Sequence, residues 1–356
     1  MVKKALRWGN LLLILLTLLT YLSPFIDPQD FWPMALLGPL FPWLLLFNLL
    51  FAFLWLFSKD RYFLMSLACL ILGSGYIQTF IGLAGVSKST PRAHQFSILS
   101  YNVYGLRSLP NKGKTTRGKD DREYVAFLDR EMRPLDLWCV QESNNYLCPT
   151  HARHLELPHQ FSERYQQTAI FSRYPILSRG EFDKSEGRNQ SVWVDIDVDG
   201  VTIRVYAIHL SSTRISTTTQ RLAETGDLQE KETWRDIRSV IGSYKRASQR
   251  RAKEAEEFAE HIAQSPYPVI VCGDLNETPV SFVYRTIRNS RSLQDAFAQA
   301  GTGLGTTYAG VIPALRIDFI LVDPFFQVRN HEIRRVLYSD HYPISAVIEW
   351  GEEVKE

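Results

Sequence analysis

The order of apolar segments predicts an α/β protein: two packed mixed sheets flanked by helices, preceded by three transmembrane helices. Three observations predict it. The first ninety or so residues are mostly Leu, Phe, Ile, Trp and Ala, gathered in long runs. From Phe96 onward, short apolar strands alternate with polar loops and a few helices. Hairpin turns are present and a glycine-rich phosphate loop is not, which disfavours a doubly wound parallel sheet.

The apolar runs are Leu6 to Leu22, Trp32 to Phe57 and Phe63 to Val86. A helix needs about 20 apolar residues to cross a bilayer, so the second and third runs suffice and the first is borderline. A cleaved signal peptide competes for the first run, because Lys3, Lys4 and Arg7 make a basic start. The stretch Tyr21–Pro24 offers no small-x-small cleavage site, which favours an anchor. The chain thus divides into a membrane anchor, residues 1–90, and a second domain, residues 91–356. The basic N-terminus and the loop with Lys59 and Arg61 belong on the cytoplasmic side. Three crossings would put the second domain outside the cytoplasmic membrane, on the outer or periplasmic side.

Charge adds a constraint. Residues 1–92 hold 7 Lys+Arg and 3 Asp+Glu, leaving 33 and 35 of the totals of 40 and 38 for the remainder. A net of −2 argues against a domain that grips long DNA by its backbone. Of the four cysteines, Cys69 lies in an apolar run, Cys139 and Cys272 lie in strand-like runs, and Cys148 is alone in a loop. None has metal-ligand spacing and no disulfide framework is implied.

The elements follow in order. FSILSYNV reads as a strand ending in polar residues, and Asp121 to Met132 as a helix stopped by Pro134. LDLWCVQE and TAIFSRYPI read as buried strands. SVWVDIDV and VTIRVYAIHL flank Asp199-Gly200, a strong hairpin signal. A helix is expected from about Arg235 to Gln264, then the strands YPVIVCGDLN, LRIDFILV and ISAVIEW. Ser211 to Arg251 reads as a long polar insertion. Its basic run, Lys245, Arg246, Arg250, Arg251 and Lys253, is balanced by Glu254, Glu256, Glu257 and Glu260 and reads first as a solvated helix face. A patch for nucleic-acid phosphates or anionic headgroups is the alternative.

Polar groups end several strands: Asn102, Glu142, His209, Asp274 with Asn276, Asp318, and Asp340 with His341. Each alone has a bland reading, as a turn residue, a strand terminus or a hydrogen-bonded core histidine. The ordered set LSYNVYG, VQES, TAIFSRYPI, AIHLSS, CGDLNETP, RIDFILV, SDHYPI is far more specific. It resembles the endonuclease/exonuclease/phosphatase superfamily from about Phe96 to Trp350. That resemblance implies a four-layer α/β sandwich and a divalent-metal-dependent phosphoesterase. Asn102, Glu142 and Asp340 would serve the metal, with Glu142 the principal ligand. Hard oxygen ligands suit magnesium, and also manganese. Asp274 and Asn276 would flank the attacking water and the phosphate. His209 would hydrogen-bond a phosphate oxygen, and His341 would pair with Asp318.

The expected chemistry is direct attack by water, without a covalent enzyme intermediate, because no Ser-His-Asp motif or cysteine nucleophile context is present. The general base is either the Asp318–His341 pair or Asp274. The segment AIHLSS resembles secreted deoxyribonucleases, sphingomyelinases and inositol phosphatases, and differs from abasic-site repair enzymes. Expected partners are a phosphodiester substrate, nucleic acid or phospholipid, and the lipid bilayer; no protein partner is specified. A phosphomonoesterase of sugar or inositol phosphates and a non-catalytic membrane scaffold are the competing readings.

Overall fold

A computed structural model describes residues 1–84, 92–104, 126–132, 135–144, 154–163, 167–182, 191–213, 231–310 and 312–353. Cys148, the start of the 121–132 helix and most of the 87–95 linker lie outside them.

The N-terminal part is helical. α1 (Val2–Leu22) is followed by a 3-10 turn (Ser23–Phe25), α2 (Pro28–Phe31), a second 3-10 segment (Trp32–Leu40) and α3 (Phe41–Phe57). The segments Val2–Phe25 and Pro28–Phe57 are long and apolar enough to cross a membrane. The third expected span does not form. α4 (Tyr62–Leu72) stops at Gly73, a short α5 (Ser74–Ile77) follows, and the chain turns into strand β1 (Ile81–Leu83). At 1.5 Å per residue, α4 is about half the thickness of a bilayer core. Composition misled here because Phe80 and Ile81 are apolar for a protein neighbour. Phe80 packs on Phe41 and Val280, with Ile81 against the same cluster.

Polar side chains register the helices on one another. The Ser66 hydroxyl donates to Asn10 Oδ1 at 2.9 Å, and the Asn48 amide to Thr17 Oγ1 at 2.8 Å. Asp60, in the α3–α4 loop, meets Arg7 at 2.7 Å and Lys3 at 3.0 Å. The start of α1 and the α3–α4 loop therefore share one end of the bundle. Tyr21, at the far end of α1, donates to the Cys69 carbonyl and stacks on Tyr76.

Two six-stranded sheets make the second part. In the order of the chain the strands are β2 (Arg92–Asn102), β3 (Leu137–Gln141), β4 (His159–Ser162), β5 (Ala169–Ser172), β6 (Ile176–Glu181), β7 (Val192–Val198), β8 (Val201–His209), β9 (Val269–Asp274), β10 (Gln294–Asp295), β11 (Thr302–Leu304), β12 (Asp318–Val322), β13 (Gln327–Ile333) and β14 (Ile344–Glu353). One sheet runs β13-β14-β2-β3-β5-β4 and the other β10-β12-β9-β8-β7-β6. Only β2–β3 and β8–β9 are parallel within them; the other neighbours are antiparallel. β1 pairs with β11 apart from both. The expected hairpin is present: Asp199 and Gly200 both have positive φ, 53° and 85°, as a two-residue turn requires.

Strand alternation divides the core. Ile98, Cys139, Ala207, Cys272, Ile320 and Ile344 point between the sheets. The alternate residues of the first sheet, Leu99, Tyr101, Trp138 and Val140, cover its outer face with Phe127 and Leu128, the latter opening a short π-helical turn (Leu128–Met132). Those of the second sheet, Tyr206, Ile208 and Val271, meet Phe258 and Ile262 of α6 (Lys231–Ala263) and Val283 and Ile287 of α7 (Phe282–Asn289). α8 (Ala296–Ala300) follows β10.

Two buried ion pairs hold loops to this frame. Arg316 meets Asp295 with 2.6 and 2.8 Å bonds and also donates to the Thr79 carbonyl of the N-terminal part at 2.8 Å. Arg251 meets Glu277 at 2.6 Å and is fully buried, as its neighbour on the next turn, Glu254, nearly is. The basic run is therefore not a solvated face throughout. It lies mid-helix, and its Arg251 is a structural cation of the loop that follows β9. Of the expected insertion, residues 214–230 lie outside the described chain and residues from Lys231 belong to α6.

His331 on β13 is buried, and neither ring nitrogen has a hydrogen-bond partner. Burial, aided by Arg316, pushes its imidazole down to about 3. The folded state holds the neutral ring, so the unfolded chain binds the extra proton. His331 thus favours the fold above the ordinary value of 6.5, and that contribution is lost as pH falls towards 3. A His331→Phe variant should flatten the acid arm of the melting temperature against pH between these limits. An unchanged acid arm would show that other groups set it.

Candidate active site

The site continues the inter-sheet core by one more step of the strand alternation. Two residues beyond core-facing Ala207, Cys272 and Ser100 come His209, Asp274 and Asn102, on the same face. Register aligns them. β8 and β9 pair in parallel with His209 opposite Asp274, and β9 and β12 pair antiparallel with Asp318 opposite Asp274. Asn102 closes β2 opposite Gln141, which puts Glu142 just past the end of β3.

Asp274 Oδ2 is the hub. The amides of Asn102 and Asn276 donate to it at 3.1 and 3.2 Å. The Nε2 atoms of His341 and His209 lie 3.7 and 3.9 Å away. Its other oxygen accepts the Asn276 backbone N–H at 2.7 Å. Burial pushes the Asp274 carboxyl up to about 6, with Asp318 adding to the rise and the histidines opposing it. A group so placed exchanges a proton near neutrality.

His341 is bound through Nδ1 to Asp318, at 2.9 and 3.2 Å. Burial alone would lower its value, but the Asp318 and Asp274 carboxylates prevail and lift it to about 10. It is an imidazolium at neutral pH, oriented by Asp318. His209 is held through its backbone, whose N–H donates to Ser191 Oγ at 3.0 Å. Its Nε2 is buried without a hydrogen bond, 3.5 Å from Glu142 Oε1.

Asn102, Asp274, Asp318 and His341 form a buried floor, while Glu142, His209, Asn276 and Asp340 are partly exposed above it. Glu142 and Asn276 take positive φ, 50° and 51°, a strained setting for a non-glycine residue that turns each chain sharply off its strand. Burial and the nearby Glu142 both raise the Asp340 carboxyl. Such crowded carboxylates are a hard-oxygen donor set that a divalent cation neutralises. Asp274, Asp318 and His341 also bring ligand atoms within 4.8 Å of one another. Asp318, however, is engaged with His341, so Glu142 and Asp340 are the freer donors. The Asn102 amide presents its nitrogen to Glu142 at 3.1 Å, and its oxygen accepts from the Tyr104 N–H. In this orientation it bridges Glu142 and Asp274.

All eight residues singled out in the sequence meet here. Their supports were not singled out. Ser339 donates to the Asn102 carbonyl at 2.8 Å and ties the Asp340–His341 loop to β2. Thr307 Oγ1 accepts the backbone N–H groups of Ile317 and Asp318. Tyr308 pairs with His341 through the backbone and sets its ring edge-on, 5.3 Å away. Ser339 could have been suspected from its place beside Asp340; Thr307, Tyr308 and Ser191 carry no local signal.

Two mixed sheets with acids, amides and an Asp-paired histidine at one end define the class: a hydrolytic α/β sandwich acting on phosphoesters. The chain belongs to the Endonuclease/Exonuclease/phosphatase family, whose model matches residues 99–341. The family is divalent-metal dependent. Residues 3–80 match a second model, described as a domain of unknown function. No curated protein matches the chain. Among solved structures, a family member from Beutenbergia cavernae is 16% identical, with a TM-score of 0.50 over 73% of this chain and 72% of that one. One from Bacteroides thetaiotaomicron is 13% identical, with 0.49 over 73% and 99%. A mannosyl-6-phosphatase from the same species is 15% identical, with 0.46 over 72% and 100%. At these identities the likeness concerns the fold alone.

An Asp318→Asn variant removes the main influence that raises His341. Its imidazole should then titrate well below 10, towards the ordinary 6.5, in a proton titration followed by NMR on histidine-labelled protein. An unmoved titration would assign the shift to another group.

Proposed function

We propose that this chain is a membrane-anchored, divalent-metal-dependent phosphodiesterase that hydrolyses its substrate by direct attack of water. The observation that carries the reading is Asp274: a buried carboxyl raised to about 6, with two amides and two imidazoles converging on one oxygen. Asp274 takes the proton of the attacking water, since His341 is already protonated at neutral pH. His209 donates a hydrogen bond to a phosphoryl oxygen, and Asn276, whose amide donates to Asp274 and to the Leu210 carbonyl, holds that carboxylate beside the phosphate. His209 Nε2 has no other hydrogen bond in the described residues, which leaves it available. His341, kept charged by Asp318, offsets the negative charge that grows on those oxygens. The water oxygen bonds to phosphorus, its proton moves to Asp274, and the ester oxygen leaves and is reprotonated from solvent. Glu142 and Asp340 would hold the cation, magnesium or manganese, with Asn102 positioning Glu142. The cation supplies neutralisation of the phosphoryl charge and of the leaving oxygen. Cys139 and Cys272 lie in the inter-sheet core, remote in role from any covalent chemistry.

Two apolar helices at the N-terminus support anchoring. Lys3, Arg7, Lys59 and Arg61 gather at the Asp60 end of the bundle, and α4, too short alone, leads with α5 back along α1 to Tyr21 at the other end, where the second domain is attached. The basic end belongs in the cytoplasm, so the catalytic domain works on the outer side. A reporter active in only one compartment, fused to the C-terminus, should be silent in the cytoplasm; cytoplasmic activity would reverse the topology.

Turnover of bis-nitrophenyl phosphate by the full-length chain in detergent should require magnesium or manganese and vanish with a chelator. Asp274→Asn and Glu142→Ala should each lower it by about a thousandfold or more without lowering the melting temperature by more than a few degrees. Full activity of Asp274→Asn would refute the assignment of the base.

A further inference from the structure

The N-terminal helices do more than tether the catalytic domain. They are docked on it at the end from which the active-site residues emerge. Val280, four residues after Asn276, is buried with Phe41 and Phe80. A Cβ on Gly38 would stand 2.8 Å from Thr278 Oγ1 and 3.0 Å from the Val280 carbonyl, so the backbone before α3 lies directly on the loop that follows Asp274. On the other side of β9, Arg316 donates to the Thr79 carbonyl two residues before Asp318, and the Gly305 N–H donates to the Phe80 carbonyl two residues before Thr307. Beside this end, Tyr244 of α6 donates to the Ala35 carbonyl, and Arg285 of α7 stacks on Phe25. The opposite end of the sandwich, with the Asp199–Gly200 turn, is a strand length away, about 30 Å.

The docked segments, residues 23–40 and 73–83, are those that cap the helical bundle opposite its basic end. On the anchored reading these segments sit where the helices leave the bilayer, and the mouth of the site then opens close to the membrane surface rather than away from it. Exposed apolar residues lie on the loops beside this end, and one of them, Leu304, pairs with Ile81 of the docked segment. Leu337 is 68% exposed three residues before Asp340. Leu304 is 66% exposed, and its carbonyl accepts from Arg335. Ile312 is exposed in the loop between Tyr308 and Leu315, whose base pairs with Asp340 through Ala309. An apolar rim continuous with a membrane anchor fits the bilayer interface.

Resting on the phosphodiesterase reading above, we infer that the substrate is a phosphoester in the headgroup of a lipid in the same leaflet, with Leu304, Ile312 and Leu337 seating the rim in the interface. A long nucleic acid fits less well. The domain carries a net charge of −2 over residues 93–356, which does not suit gripping a polyanion by its backbone.

The test uses the full-length chain reconstituted in vesicles of phosphatidylethanolamine, phosphatidylglycerol and sphingomyelin. Headgroup release is compared with hydrolysis of dihexanoyl forms of the same lipids as monomers, of plasmid DNA, and of bis-nitrophenyl phosphate. Vesicle lipid should be hydrolysed with kcat/KM at least about tenfold above the monomeric forms. A Leu304→Ser/Leu337→Ser variant should raise the apparent KM for vesicle lipid by about tenfold or more, from the loss of two leucines that the lipid interface would cover, and leave kcat for bis-nitrophenyl phosphate unchanged. Asp274-dependent cleavage of bis-nitrophenyl phosphate or DNA with vesicle lipid untouched would overturn the lipid assignment and leave the phosphodiesterase reading standing. Equal loss on every substrate in the double variant would also overturn it, by making the leucines structural. Failure on all substrates, in a folded protein, would overturn both readings.

Discussion

One buried carboxylate, Asp274, is the constraint around which the rest is arranged. A carboxyl group at 1% exposure is stable only if its surroundings supply hydrogen bonds or opposite charge. Here both sheets contribute. Asn102 comes from one sheet, His209 and Asp318 from strands flanking β9 in the other, and His341 from the loop before β14. Each reaches it only if the strand registers are correct to the residue, because a slip of one would turn every side chain to the opposite face. Close approach of the strands is part of the same constraint. Gly273 has φ +145°, and a Cβ there would lie 1.8 Å from the Ile208 carbonyl, so β8 and β9 can carry His209 and Asp274 side by side only with glycine at this place.

Chemistry follows from how the buried charge is divided. Asp318 orients His341 and keeps its imidazole protonated, while burial leaves Asp274 near its point of titration. One carboxylate orients and charges a histidine; the other stays free to exchange a proton. Environment separates these two identical functional groups into two roles.

The N-terminal part is tied to the domain by similar means. Arg316 bonds Asp295 in the domain and the Thr79 carbonyl in the N-terminal part. Arg251 ties the middle of α6 to Glu277 in the loop after β9, while Tyr244 of the same helix reaches Ala35. Replacing either arginine would leave a buried carboxylate without its cation, an expensive change.

The α/β class, eight strands (β2, β3, β5, β7, β8, β9, β12 and β14), the Asp199–Gly200 hairpin and the eight candidate residues that gather at one end of the sheets were legible in the sequence by itself, because alternation, turn chemistry and ordered motifs are local properties; the short or edge strands β1, β4, β6, β10, β11 and β13 were not. Two of the membrane-length helices were legible too. The fate of Phe63 to Val86 was not: an apolar run reads alike whether it faces lipid or protein, and Phe80 and Ile81 turned out to face Phe41 and Val280. Arg251 likewise looked like one more basic residue on a helix until Glu277 arrived from 26 positions away. These emerged with the folded chain, and with them the roles of Ser339 and Thr307 and the docking of the N-terminal part beside the site. A residue's hydropathy and spacing are written in its neighbours along the chain, whereas its partner in space is set by the pairing of distant strands.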